Sequence, residues 1–210
     1  MAQKDFVIAT MPGDGIGKDI VNAATSIVDL SSDIIGGYKC NWDLIKAGAT
    51  YFALTGKDVE PGGEEKADKS DSIFLGAIGL PTIRHTDGTE ICPHLRFREV
   101  FNLYAGVRPV KAYPNITNRL SNELSSKIDL VILRESTEGL FYSAAVHNRC
   151  PVDNNEEVQD IMRITRTTTE KLHDFAFNLA RQRKNKGKLG KVTCVDKANV
   201  FRSQAFLEKS

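Results

Sequence analysis

The most constraining feature of this chain is an early junction. An apolar run over residues 6–11 breaks at Pro12-Gly13-Asp14-Gly15-Ile16-Gly17, and helical periodicity follows. A short apolar run, a glycine cluster and a helical pattern read as buried strand, tight turn and helix. In that helix Ile20, Val21, Ala24, Ile27 and Val28 recur at 3.6-residue spacing and form the predicted inward face. Tyr38, Cys40, Trp42 and Leu44 then alternate, the period-two mark of a half-buried strand. Polar residues 61–71 suit a short solvent-facing helix, and residues 73–80 form another apolar run closed by Pro81. Strand, helix, strand, helix, strand in that order predicts an α/β fold with a largely parallel sheet covered by helices.

Beyond Pro81 the pattern changes. Residues 82–93 read as loop and 95–100 as a short helix. Phe101, Leu103, Ala105 and Val107 alternate into a strand that runs on to Lys111, and the apolar run 128–133 ends on Arg134-Glu135. Residues 140–152 have no helical period and read as a protruding arm. The best amphipathic pattern covers 156–183, with Ile161, Ile164, Thr165, Thr168, Leu172, Phe175, Ala176 and Leu179 on one face. Residues 184–191 form a basic turn, 192–195 a last strand, and a further helix is expected from Asp196.

Composition narrows the function classes. The 210 residues suit one large domain or two small ones, and 28 Lys+Arg against 27 Asp+Glu leave a net charge of +1. That balance gives no footprint for nucleic acid or an anionic membrane. No apolar run approaches the roughly 20 residues of a membrane helix, and no targeting segment is read at the N-terminus, so a cytoplasmic location is expected. Cys40, Cys92, Cys150 and Cys194 lie far apart without a Cys-x-x-Cys pair, which suits buried thiols in a reducing compartment.

Several residues could carry chemistry. Glycines between a strand and a helix let a backbone approach a phosphate at the helix N-terminus. The spacing here is G-x-G-x-G, not the G-x-G-x-x-G of a dinucleotide fold, and a tight turn with no ligand is the better reading of it. Arg98, Arg108 and Arg134 sit at or near predicted strand ends, where open α/β sheets bind ligands. Guanidinium forks match carboxylates, and three on one pocket would suit a small di- or tricarboxylic acid. Each alone reads as a surface charge, and spacing cannot show whether the fold gathers them. Lys197, between a strand and a helix, could be a base or an ordinary helix-start lysine. Tyr142 could be an acid or a packing aromatic. His85, His94, His147 and His173 are scattered, and none reads as a metal ligand.

Five segments together carry a resemblance. They are Pro12-Gly13-Asp14-Gly15-Ile16-Gly17, Gly76-Ala77-Ile78-Gly79, residues 103–111, Leu133-Arg134-Glu135-Ser136-Thr137-Glu138-Gly139 and Val195-Asp196-Lys197-Ala198-Asn199-Val200. In this order and spacing they resemble the isocitrate/isopropylmalate dehydrogenase family, from about Phe6 to the end of the chain. The resemblance implies a two-lobed fold that is not a GxGxxG Rossmann fold. It implies oxidation and decarboxylation of a malate-type acid with NAD or NADP and Mg2+ or Mn2+, in a homodimer or larger homo-oligomer. On that basis Arg98, Arg108 and Arg134 would grip substrate carboxylates, with His94 beside them. Lys197 would deprotonate the hydroxyl from the partner subunit, and Ile16 and Asn199 would lie at the cofactor. A non-catalytic or truncated paralogous subunit, or a carboxylate-binding module, are the competing expectations.

Where the chain departs from the family, the substrate stays open. The family's tyrosine acid aligns with Phe141, and Tyr142 lies one place further on; a one-residue shift would make Tyr142 the acid. Cys92-Pro93-His94 matches neither the isocitrate pattern nor the leucine of isopropylmalate enzymes, so a tartrate- or malate-like acid is equally compatible. The resemblance puts the metal-binding aspartates and the adenine loop past Ser210, so these residues read as the first part of a longer enzyme. The expected lobes are 1–106 and 107–210, with the arm near 140–152 interlocking across a dimer.

Overall fold

In the computed structural model β1 (Lys4–Gly13) is the central strand of a three-stranded parallel sheet of order β2-β1-β3. The structure describes residues 3–116, 120–121, 123–144, 152–154 and 156–205. A strand with neighbours on both sides and helices above must be apolar on both faces, and Ala9 and Met11 are fully buried. Its register sets Ile8 beside Trp42 of β2 (Tyr38–Leu44) and Met11 beside Leu75 of β3 (Ser72–Ala77). Parallel neighbours need a crossover, and α1 (Gly17–Ile35) supplies it. The helix ends at Gly36, whose N–H returns to the Ser32 carbonyl.

The inward face of α1 differs from the predicted one. Val21 is buried and Ala24 and Val28 half-buried, but Ile20 and Ile27 are exposed, together with Leu30 and Ile34. The helix carries apolar residues on two sides, and periodicity alone did not separate them. Leu44, expected inside, is also exposed at the end of β2. Two short helices follow, α2 (Ala49–Thr55), which the pattern missed, and α3 (Gly63–Lys69) in the polar stretch. Helix α4 (Pro93–Val100) comes next, and its Arg96 pairs with both Asp58 and Glu64.

The chain divides into compact units at Phe97/Arg98, nine residues before the boundary expected from the motifs. In the second unit β4 (Ala105–Lys111) and β5 (Asp129–Glu135) form an antiparallel pair, so the parallel arrangement belongs to the first unit. A single turn, α5 (Phe141–Ala144), precedes α6 (Arg166–Asn185). Leu172, Phe175, Ala176 and Leu179 of α6 are half-buried, as the periodicity predicts.

Helix α6 starts ten residues later than expected because tertiary bonds hold the preceding segment extended. Gly139 and Arg163 exchange backbone hydrogen bonds, and Thr165 adopts an extended conformation and caps the helix by accepting from the Thr168 N–H. Residues 192–195 join no sheet, and the helix expected from Asp196 is replaced by turns through Ala205. Most of the expected arm at 140–152 lies outside the described residues. Cys40 and Cys92 are half-buried thiols, whereas Cys194 is exposed and its thiol lies 3.8 Å from Asp196 Oδ2; Cys150 lies outside the described residues. Burial, with the charges of Glu90 and Asp58, pushes the Cys92 thiol up, away from the reactive thiolate.

Candidate active site

The β4–β5 register builds the core of the site. Gly106 stands opposite Arg134, and Arg108 opposite Ile132. Opposed residues share a face and every second residue along a strand returns to it. Arg108 and Arg134 are therefore diagonal neighbours on one face of the pair. Arg98, near the end of α4, joins them: its guanidinium carbon lies 5.7 Å from the centroid of the Phe141 ring, and that of Arg134 lies 5.5 Å from the same centroid. Burial and the like charges of Arg134 and Arg108 hold the Arg98 pKa below its usual value.

What surrounds these arginines matters as much as their convergence. Arg84, Arg96, Arg163, Arg166 and Arg183 all pair with carboxylates. Among the described residues no carboxylate pairs with Arg98, Arg108 or Arg134. The two glutamates of the same motif are engaged elsewhere. Glu135 accepts from the Thr137 N–H at 2.7 Å, the Thr137 hydroxyl at 2.6 Å and the Glu138 N–H at 2.7 Å. Glu138, buried, accepts from the Thr165 N–H at 2.8 Å and from the hydroxyls of Thr165 and Thr168. The motif thus uses its acids to tie the loop to the start of α6 and leaves its cation uncompensated. Three guanidinium forks without carboxylates are a ready receptor for a multiply charged anion.

The other expected residues are placed as follows. His94 is half-buried in the first unit, one turn ahead of Arg98 on α4. Phe141, not Tyr142, lies against the arginines; Tyr142 turns its ring to Arg163, whose guanidinium carbon is 4.6 Å from the centroid. Lys197 and Asn199 are exposed in the turn after residue 195, where the Lys197 N–H donates to Gln204 and the Ala198 N–H to Asp196 at 2.7 Å. Ile16 is exposed at the N-cap of α1.

The glycine loop of the first unit proves to be a tight turn filled by its own groups. Gly13 has φ +73°, and a Cβ there would run into the Ala77 carbonyl. The Asp14 N–H donates to that same carbonyl at 2.6 Å. The Asp14 carboxylate is 1% exposed and accepts from the N–H groups of Ala49 (2.7 Å), Thr50 (2.7 Å) and Gly79 (2.9 Å). Burial would raise its pKa, but these donors outweigh burial and hold the carboxyl below its usual range. Gly48 admits the carboxylate, since a Cβ there would fall 2.5 Å from Oδ2. A buried anion at this turn disfavours a phosphate. Asp14 and Glu138 were missed by sequence reasoning; the available signal was an acid inside a glycine- or threonine-rich motif.

Among the described residues no group of three or more His, Cys, Asp or Glu could hold a metal ion. No helix is long and apolar enough to cross a membrane among them.

Fold and site together define an α/β protein in which Arg98, Arg108 and Arg134 gather without a carboxylate partner among the described residues. The sequence profile of the isocitrate/isopropylmalate dehydrogenase family matches residues 7–210, and the chain belongs to that family. It is 34% identical over 195 residues to the 3-isopropylmalate/3-methylmalate dehydrogenase of Methanocaldococcus jannaschii, covering 93% of this chain and 52% of that protein. It is 33% identical over 201 residues to the 3-isopropylmalate dehydrogenase of Heyndrickxia coagulans, with the same coverages. Its fold is similar to the crystal structure of isocitrate dehydrogenase from Methylococcus capsulatus, with a TM-score of 0.75, 27% identity and coverage of 96% of this chain and 54% of that one. A β-decarboxylating dehydrogenase from Thermococcus kodakarensis, in its apo form, gives a TM-score of 0.65 at 25% identity, covering 97% of this chain and 52% of that one. The chain spans about half the length of the curated relatives it matches.

Proposed function

We propose that this chain is the substrate-gripping part of an oxidoreductase acting on a malate-type 2-hydroxy di- or tricarboxylic acid. The proposed enzyme oxidises the hydroxyl with NAD or NADP, decarboxylates the product in the presence of Mg2+ or Mn2+, and works as a homodimer or larger homo-oligomer. The observation that carries this reading is the set of three arginines, Arg98, Arg108 and Arg134, without carboxylate partners. NAD or NADP would accept the hydride and the divalent cation would stabilise the alkoxide. The described residues form no cluster for the cation, and Ile16 and Asn199, each assigned to the nucleotide, are exposed.

The arginines bind and orient the substrate. Two forks can clamp two carboxylates while the third neutralises a further negative charge, and charge-assisted bonds of this kind are the strong ones. Lys197 is assigned the removal of the hydroxyl proton; its exposure suits a lysine offered to a partner subunit's site. Tyr142 is assigned the proton return, as the phenol next to Phe141 in α5. His94, one turn before Arg98, is assigned to the substrate's variable end.

A screen of isocitrate, isopropylmalate, tartrate and malate against both cofactors, each with Mg2+ or Mn2+, tests the reading through the absorbance of reduced nicotinamide. Turnover of one acid is expected of the proposed enzyme of which this chain is a part, and none of these 210 residues by themselves, with Lys197→Met abolishing it and Tyr142→Phe lowering kcat. Absence of dicarboxylate binding overturns the reading. Binding without turnover identifies a carboxylate-binding subunit instead.

A further inference from the structure

Two like-charged guanidinia that share one aromatic ring are an unusual arrangement. Arg98 and Arg134 belong to different elements, α4 and β5, and Arg108 adds a third positive charge nearby. Like charges without counter-ions would be expected to splay into solvent. Instead both guanidinia lie within the roughly 6 Å range of a cation–π contact with Phe141, at 5.7 and 5.5 Å. The ring presents its negative π-density to the cations and takes no proton from either.

From this geometry we infer that Phe141 is a positioning residue, an aromatic spacer that holds Arg98 and Arg134 on one ring before the anion arrives. The inference rests on the carboxylate-binding reading above and deepens it. Long arginine side chains lose rotamer freedom when they grip a ligand. A ring that already confines two of them removes part of that cost, so the receptor is preorganised while empty. Phe141 is itself held in place. It sits in α5, where the Tyr142 N–H returns to the Gly139 carbonyl, and Gly139 is bonded in both directions to Arg163. Tyr142 in turn packs on Arg163. The spacer is thereby fixed from the α6 side, independently of either arginine it contacts.

The role needs an aromatic face and no hydroxyl. A merely structural phenylalanine would be replaced by leucine with little change at the arginines, whereas a cation–π spacer would not. The test uses the intact protein with 15N- and 13C-labelled arginine, and malate and isopropylmalate as binding probes. Arg98→Lys and Arg134→Lys serve to assign the side-chain resonances. Ring-current-shifted side-chain signals for both arginines are expected in the free protein, lost in Phe141→Leu and retained in Phe141→Tyr. Probe binding is expected to weaken about 5- to 30-fold in Phe141→Leu and to recover in Phe141→Tyr. Unshifted arginine signals in the unsubstituted protein overturn the spacer, as does a Phe141→Leu protein that binds as tightly as the original. Equal weakening in the leucine and tyrosine variants overturns it as well, because an aromatic face would then not be what matters. Failure of the unsubstituted protein to bind either probe counts against the carboxylate reading alone, since the ring-current signals report on the spacer without ligand.

Discussion

The turn at Gly13-Asp14-Gly15 and the segment Arg134–Gly139 both follow a strand, both carry acid residues among small ones, and they do opposite things. In the first, one buried carboxylate takes three backbone donors and the turn closes on itself. In the second, two glutamates take backbone and threonine donors, and Arg134, near the end of β5, has no carboxylate partner among the described residues. A glycine-rich turn can look like a ligand cradle and be a structural knot. An acid-rich motif can look self-neutralised and still leave its arginine without a carboxylate among the described residues. The difference lies in where the acids spend their hydrogen-bonding capacity.

This contrast can be broken by substitution. Asp14→Ala should have the largest effect, because it strands three N–H donors that now end on a carboxylate buried in the turn. At about 1–3 kcal/mol per unsatisfied buried group, a loss on the order of 3–5 kcal/mol is expected after partial relaxation. Urea unfolding measures it, and a loss under about 1 kcal/mol would mean that the turn is no knot. Arg134→Ala should do the reverse. Stability should change little, while dicarboxylate affinity falls about 10- to 150-fold, the range for losing charge-assisted bonds of about 1.5–3 kcal/mol. Calorimetric titration reads the affinity, and an unchanged Kd would remove Arg134 from the receptor.

A smaller effect concerns pH. Asp129 lies between Arg183 and Lys188, at 2.6 Å from each, and their hydrogen bonds and charges lower its pKa from 3.8 to about 2. A depressed carboxyl binds fewer protons folded than unfolded, so its contribution is present above pH 4 and disappears as pH falls towards 2. Asp129→Asn should flatten that part of the stability profile and leave the neutral region nearly unchanged. A profile identical to the unsubstituted protein would show that the pair is screened by solvent.

Much of the fold was legible in local pattern. Strands β1 to β5 and the apolar face of α6 are written in period-two and period-3.6 hydrophobicity, because each buries one face or two. The start of α6 was not legible. Residues 156–165 have helical periodicity, but Gly139 bonds to Arg163 and Glu138 to Thr165, and bonds across 24 to 27 residues leave no trace in a local window. The two-sided apolar character of α1 failed for a related reason: Ile20 and Ile27 satisfy the same period as Val21 and Val28, and only the position of the sheet chooses between them.

The sequence by itself determined the α/β class and the family and singled out the three arginines as candidates, since these follow from residue types at fixed separations. Tertiary structure alone decided that Arg108 and Arg134 share one face of a strand pair, that Arg98 and Arg134 share the ring of Phe141 rather than Tyr142, and that Asp14, Glu135 and Glu138 are already engaged. The physical reason is that a hydrogen bond or a cation–π contact depends on distances of a few ångströms between residues far apart along the chain. Spacing along a sequence names the partners available, and only folding assigns each carboxylate its donors and, among the described residues, leaves Arg98, Arg108 and Arg134 without one.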